Sequence, residues 1–249
     1  MQIDHWQFLQ NYTPARIARG RAGHSSPTSE LLKFQADHAQ ARDAVYSVLD
    51  ITLLIDSLKS DLDLPIITLK SKVENRSEYL QRPDLGRTLS QESRELLQTI
   101  KIEESDVCFV VVDGLSADAI NQNTPPVLKN IIAKLKKINW KIAPICLVEQ
   151  GRVAVADEIG YLLKSKIVVV LIGERPGLTS PNSMGAYITF NPQVGITDES
   201  RNCVSNIRPE GMSSEAASQK IFYLLSEMRL KKISGVNLKD EVYDSKYLD

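Results

Sequence analysis

The strongest signal along the chain is a set of apolar runs that do not alternate. Val107 to Val112, Lys141 to Val148 and Ile167 to Ile172 are nearly continuous, and Ala186 to Phe190 is a shorter fourth. Strands buried on both faces read this way, whereas a half-exposed strand alternates polar and apolar positions. Helical signals lie between the runs. Leu115-Ser116-Ala117-Asp118 opens a segment in which Val127, Ile131, Leu135 and Ile138 keep a three-to-four spacing, with Pro125-Pro126 expected to start or interrupt the helix. Ala156 to Lys164 reads as a further helix. Ser213 or Ser214 caps a last one, with Ala217, Ile221, Leu224, Leu225 and Met228 on one face and Gly235 past its end. This order predicts an α/β fold with a doubly wound parallel sheet over residues 101–249.

The first hundred residues look different. Residues 1–28 read as an arm that wraps or docks, with Arg16, Arg19 and Arg21 among small residues and Ser25-Ser26-Pro27-Thr28 ending it. Leu31, Phe34, His38, Ala41, Val45 and Val48 then recur at helical spacing, which predicts a helix burying that stripe and makes His38 a core histidine. Ile51 to Ile55 and Ile66 to Leu69 are both strand candidates. Glu74 to Leu80 is a short helical segment broken by Arg82-Pro83-Asp84-Leu85-Gly86, and Ser90 caps a helix to about Thr99. Residues 1–100 are therefore expected to form a helical N-terminal region packed on the α/β domain.

Composition removes several chemistries. The chain has three His, all within the first 38 residues, and three Cys, all beyond residue 100. No CxxC, HExxH or other zinc spacing occurs, so no metal site is expected. Most His-based acid–base chemistry is a poor match as well. An odd, widely spaced set of Cys reads as free thiols in a reducing compartment. The opening MQIDHWQFLQ has no signal-peptide pattern, and no apolar run reaches the roughly 20 residues of a membrane span. A formal net charge of -1 speaks against a dedicated nucleic-acid binder.

In an open α/β sheet, ligands bind beyond the carboxyl ends of the strands. That rule selects Asp113-Gly114 and Gly173-Glu174-Arg175-Pro176-Gly177. Glu174 and Arg175, directly after an apolar strand, either pair locally or face a ligand. The dinucleotide fingerprint and the P-loop are both absent. Cys108 and Cys146 lie in apolar runs and read as core. Cys203, among Arg201, Asn202, Ser205 and Asn206, is the one thiol expected to face a site. Arg201 would lower its pKa, but with no base nearby in sequence a contact role fits better than a nucleophile.

Six segments in order resemble one family: Phe34-Gln35-Ala36-Asp37-His38 with Ala41-Arg42-Asp43, Arg82-Pro83-Asp84-Leu85-Gly86-Arg87, Asp113-Gly114-Leu115-Ser116, Gly151-Arg152-Val153, Gly173-Glu174-Arg175-Pro176-Gly177-Leu178 and Asn202-Cys203-Val204-Ser205-Asn206-Ile207. The chain resembles the small (light-chain) subunit of ethanolamine ammonia-lyase from about Trp6 onward. The resemblance implies an adenosylcobalamin-dependent lyase converting ethanolamine to acetaldehyde and ammonia. It implies a Rossmann-like domain holding the cofactor against a large subunit, which binds substrate and carries the catalytic side chains, in an assembly of six large and six small subunits. No catalytic residue is expected in this chain. The implied cofactor contacts are Val153, Glu174 and Cys203; from the residues alone, Val153 reads as core.

The position of the histidines adds an expectation of its own. No DxHxxG motif is present, so a bound cobalamin is expected to keep its own dimethylbenzimidazole ligand. Some members of the family carry a long N-terminal extension linked with solubility or with delivery to a bacterial microcompartment. Here the shared region begins almost at once, so the expected location is the cytoplasm, with microcompartment entry resting on the large subunit. The rival readings are a Rossmann-like interaction scaffold that has lost its cofactor and a stand-alone nucleotide-dependent enzyme.

Overall fold

Residues 4–101 and 103–239 are described by the computed structural model. Six strands form one sheet in the order β1-β3-β2-β4-β5-β6: β1 (Ile66–Lys70), β2 (Ser105–Val112), β3 (Ile145–Glu149), β4 (Ser165–Gly173), β5 (Met184–Phe190) and β6 (Arg201–Ile207). The expected apolar runs are therefore strands, and Ile66 to Leu69 is one as well. Strand β1, from the first hundred residues, pairs with β3 in the same sheet.

The sheet is mixed rather than uniformly parallel. Strands β1 to β4 are parallel, but β5 runs antiparallel to β4, and β6 antiparallel to β5. The expectation of an all-parallel doubly wound sheet is corrected at this edge. The link from Glu174 to Ser183 is too short for the crossover of about a dozen or more residues that a parallel pair requires. Strand β6 escapes sequence detection for a related reason. It is an edge strand with only Arg201, Val204 and Ile207 buried, so it lacks an apolar run.

Alternate residues of the parallel strands feed two cores. On one face Val107, Phe109 and Val111 pack with α2 (Ile51–Asp61), α5 (Ala117–Lys137) and α7 (Ser214–Lys231). On the other, Cys108, Val110 and Val112 pack with α4 (Gln91–Thr99) and α6 (Val155–Leu162). Cys108 and Cys146 are buried in this second core, as expected. Ile51 to Ile55 is helix, not strand: the Asp50 side chain accepts a hydrogen bond from the Leu53 N–H and caps α2. Ser90, Ser116 and Ser213 cap α4, α5 and α7 in the same way.

Two further expectations change. Helix α5 runs straight through Pro125 and Pro126. Burial of Val127, Leu128, Ile131, Ile132 and Leu135 supplies enough packing to outweigh the lost backbone hydrogen bonds. Helix α1 (Thr28–Tyr46) forms, but its stripe is not buried. Leu31 and Phe34 are 50% and 41% exposed, His38 is exposed, and only Ala44 is buried. Spacing reports an amphipathic helix without saying what covers it. The N-terminal arm does dock on α1: Arg16 lies over the Phe34 ring and pairs with Asp37, and Arg19 pairs with Glu30 at 2.9 Å. No described helix is long and apolar enough to cross a membrane.

Candidate functional site

The carboxyl ends of β2, β3 and β4 meet at one edge of the sheet. Gly114 has φ +60°, and a Cβ there would collide with the Gly173 carbonyl oxygen. Glycine is required for this close approach. The Leu115 N–H donates to that same carbonyl at 2.9 Å, tying the β2 turn to the end of β4.

Asp113 organises the adjoining turn. Its carboxylate accepts from the backbone N–H groups of Gly114 (2.9 Å), Gln150 (2.9 Å) and Gly151 (3.2 Å), and Arg76 Nη1 lies 3.7 Å away. Burial nevertheless raises its pKa to about 6, against the opposing pull of those N–H donors and Arg76. Tyr79, fully buried, donates from its hydroxyl to the Gly151 carbonyl at 3.0 Å. The Arg76 and Arg152 guanidinium groups both lie over its ring, 4.6 and 4.0 Å from the centroid. Burial pushes the phenol well above its ordinary pKa. Arg152 donates from Nη2 to the Tyr79 carbonyl at 3.0 Å and from its backbone N–H to Gly86 O at 2.7 Å. A Cβ on Gly86 would sit 2.9 Å from Arg152 Cγ, so glycine makes room for the arginine stem. These contacts fix the Gly151-Arg152-Val153 turn.

Glu174 follows β4 and clamps three segments. It accepts from Ser183 Oγ at 2.5 Å, from Ser205 Oγ, and from the Asn206 backbone N–H at 3.2 Å. Of the local alternatives left open by the sequence, it takes hydrogen bonds from these neighbours rather than an ion pair with Arg175. Cys203 on β6 is exposed and stands opposite Tyr187 in the β5–β6 register. Crowding around the sulfur and the nearby Glu174 carboxylate raise the thiol pKa. The expected lowering by Arg201 is therefore corrected: that guanidinium is held by Asp157 instead. Burial and Cys203 push the Tyr187 phenol up to about 12.

These groups surround an open cavity of about 650 Å³, lined in part by Val153, Glu174, Arg152, Leu115, Ile172 and Tyr187. Val153 and Glu174 therefore share it, while Cys203 borders it through Tyr187. Five of the six segments singled out in the sequence contribute to its lining; the one on α1 does not. Tyr79 and Tyr187, both on its wall, lie outside those segments, and an isolated tyrosine gave no signal. A larger cleft of about 850 Å³, bordered by Gln40, Asp118 and Asn182, contains none of the three candidates.

The walls combine apolar Val153, Leu115 and Ile172 with arginines. Arg152 Nε is buried without a hydrogen-bond partner among the described residues. That mixture suits a ligand with apolar faces and a fringe of hydrogen-bond acceptors. Its size lies within the 300–1,000 Å³ usual for small-molecule sites and leaves a bulkier cofactor partly outside.

Fold and cavity together define an α/β protein with an open cavity at the carboxyl edge of its sheet. The chain belongs to the ethanolamine ammonia-lyase light chain family (EutC), whose model matches residues 3–239. It is 51% identical over 239 residues to the ethanolamine ammonia-lyase small subunit of Azotobacter vinelandii, covering 95% of this chain and 88% of that protein. The small subunit of Pseudomonas putida strain W619 matches at the same identity and coverage. That of Ralstonia nicotianae is 49% identical over 238 residues, covering 94% and 88%.

Proposed function

We propose that this chain is the cofactor-holding subunit of an adenosylcobalamin-dependent ethanolamine ammonia-lyase. It works with a large subunit that binds ethanolamine and carries the catalytic side chains, in an assembly of six large and six small chains. The observation that carries this reading is the convergence of five family-like segments on one open cavity at the carboxyl edge of the sheet.

When bound, adenosylcobalamin supplies a cleavable cobalt–carbon bond that starts radical chemistry. This chain's residues bind and shield. Val153 packs on an apolar face of the ring. Glu174 fixes the ends of β4, β5 and β6 relative to one another and leaves acceptor capacity for amide or hydroxyl donors. Cys203 presents a small surface that allows close approach. Radical chemistry requires exclusion of water and competing reactants, and an open cavity closed by a second subunit meets that requirement. The Rossmann-like description applies to the β1–β4 part of the sheet. The protein works in the cytoplasm, and any residence in a microcompartment depends on its partner.

The test is expression of this chain alone, and together with a large subunit, each supplied with adenosylcobalamin and assayed for ammonia release from ethanolamine. Activity only for the pair is expected. Activity of the isolated chain, or none for the pair, overturns the reading.

A further inference from the structure

We propose that Arg87, Arg152 and Arg175 form a phosphodiester-recognition site in the cavity and read the nucleotide tail of the corrinoid. This rests on the cavity being a cobalamin site, as proposed above. All three arginines line the same cavity, in a chain whose formal net charge is -1. The lining also carries two acidic residues, each with partners within the chain. Glu174 is held by Ser183, Ser205 and the Asn206 N–H, and Asp198 Oδ1 lies 3.3 Å from Arg201 Nε.

The arginines have unused donors. Arg152 is held in place by the Tyr79 ring and carbonyl, yet its Nε is buried with no hydrogen-bond partner among the described residues. Neither the Arg87 nor the Arg175 guanidinium has a hydrogen-bond or ion-pair partner among the described residues. A planar guanidinium matches phosphate oxygens two at a time, and one already fixed by stacking loses little freedom on binding. The chemistry of the cofactor narrows the choice of target. Cobalamin's periphery consists of neutral amides and hydroxyls, and its one anionic group is the phosphodiester of the nucleotide loop.

The experiment uses the assembled large–small complex and three probes: cyanocobalamin, cobinamide phosphate and cobinamide, which lacks phosphate. Dissociation constants are read by visible titration. R152Q, and separately the R87Q/R175Q double variant, are expected to weaken binding of the two phosphate-bearing probes by about 10- to 100-fold, since a hydrogen bond to a charged group contributes about 1.5–3 kcal/mol. Cobinamide affinity is expected to stay at the wild-type value for R87Q/R175Q, which also shows that this variant is folded; for R152Q, whose side chain also holds the Val153 turn, the expected result is a greater loss for the phosphate-bearing probes than for cobinamide. The double variant removes no side-chain hydrogen bond or close ion pair among the described residues, only the weaker attraction of Arg87 for Asp157, so it decides the matter if R152Q fails to assemble. Equal losses for all three probes, or no loss, overturn the phosphate site while leaving the cobalamin reading intact. A wild-type complex that binds no corrinoid overturns both.

Discussion

Arg201 and Asp157 face each other through two parallel hydrogen bonds, Nη1–Oδ1 at 2.6 Å and Nη2–Oδ2 at 2.7 Å, with both side chains 2% exposed. The pair fastens edge strand β6 to the first turn of α6, directly after the turn that carries Val153. Thr189 Oγ1 and the Ile196 carbonyl take further Arg201 donors, at 3.1 and 3.2 Å. Asp157→Ala leaves that buried guanidinium with only the exposed Asp198 carboxylate, 3.3 Å from its Nε, as a counter-charge, so a loss of up to about 3–5 kcal/mol is expected, read as a lower urea midpoint. A loss below about 1 kcal/mol, the range of solvent-exposed pairs, would show that water reaches the site.

Asp113 gives a pH dependence. Its folded pKa of about 6 lies above the ordinary value of 3.8, so between these values the folded chain binds more protons than the unfolded one. The resulting contribution is complete below about pH 4 and is lost as pH rises through 6. The stability difference between wild type and Asp113→Asn should therefore shrink between pH 4.5 and 7 in urea titrations, an interval set on the order of one unit around those values. A difference that grows with pH would reverse the assignment.

Glu174→Ala removes the acceptor that joins Ser183, Ser205 and Asn206. Cobalamin affinity of the assembled complex should fall by about tenfold or more, on the scale of one charge-assisted hydrogen bond. An unchanged dissociation constant would take Glu174 out of the site.

All three histidines precede residue 39, on the N-terminal arm or α1, and none lines the cavity. The cob(II)alamin EPR spectrum of the complex should keep the axial nitrogen splitting of the cofactor's own base. Labelling the histidines of this chain with ¹⁵N should leave it unchanged. A changed splitting would put a protein histidine on cobalt.

The four apolar strands, the caps at Ser90 and Ser213 and the sheet edge that carries the cavity were legible in the sequence, because continuous burial and hydroxyl capping leave local marks. The reversal of β5 and β6 was not, since strand direction depends on where the chain goes next rather than on the strand's own residues. Helix α1 shows another limit: Leu31 and Phe34 have the spacing of a buried stripe, but spacing carries no information about a covering surface. Of the candidate residues, Glu174 stood out as a charged group directly after an apolar strand and Cys203 as a thiol among polar neighbours. Tyr79 did not, because its role comes from two arginines at positions 76 and 152 that meet only after folding.

The cavity wall draws on Tyr79 at one extreme and Ser205 at the other, and between them on the ends of three parallel strands and an antiparallel edge. No fragment that forms early during synthesis contains this pocket. It is completed only when β6 pairs with β5, after nearly the whole chain has emerged. A ligand fitted to it binds the native state and no partly folded precursor, and it shifts the folding equilibrium by mass action toward finished molecules.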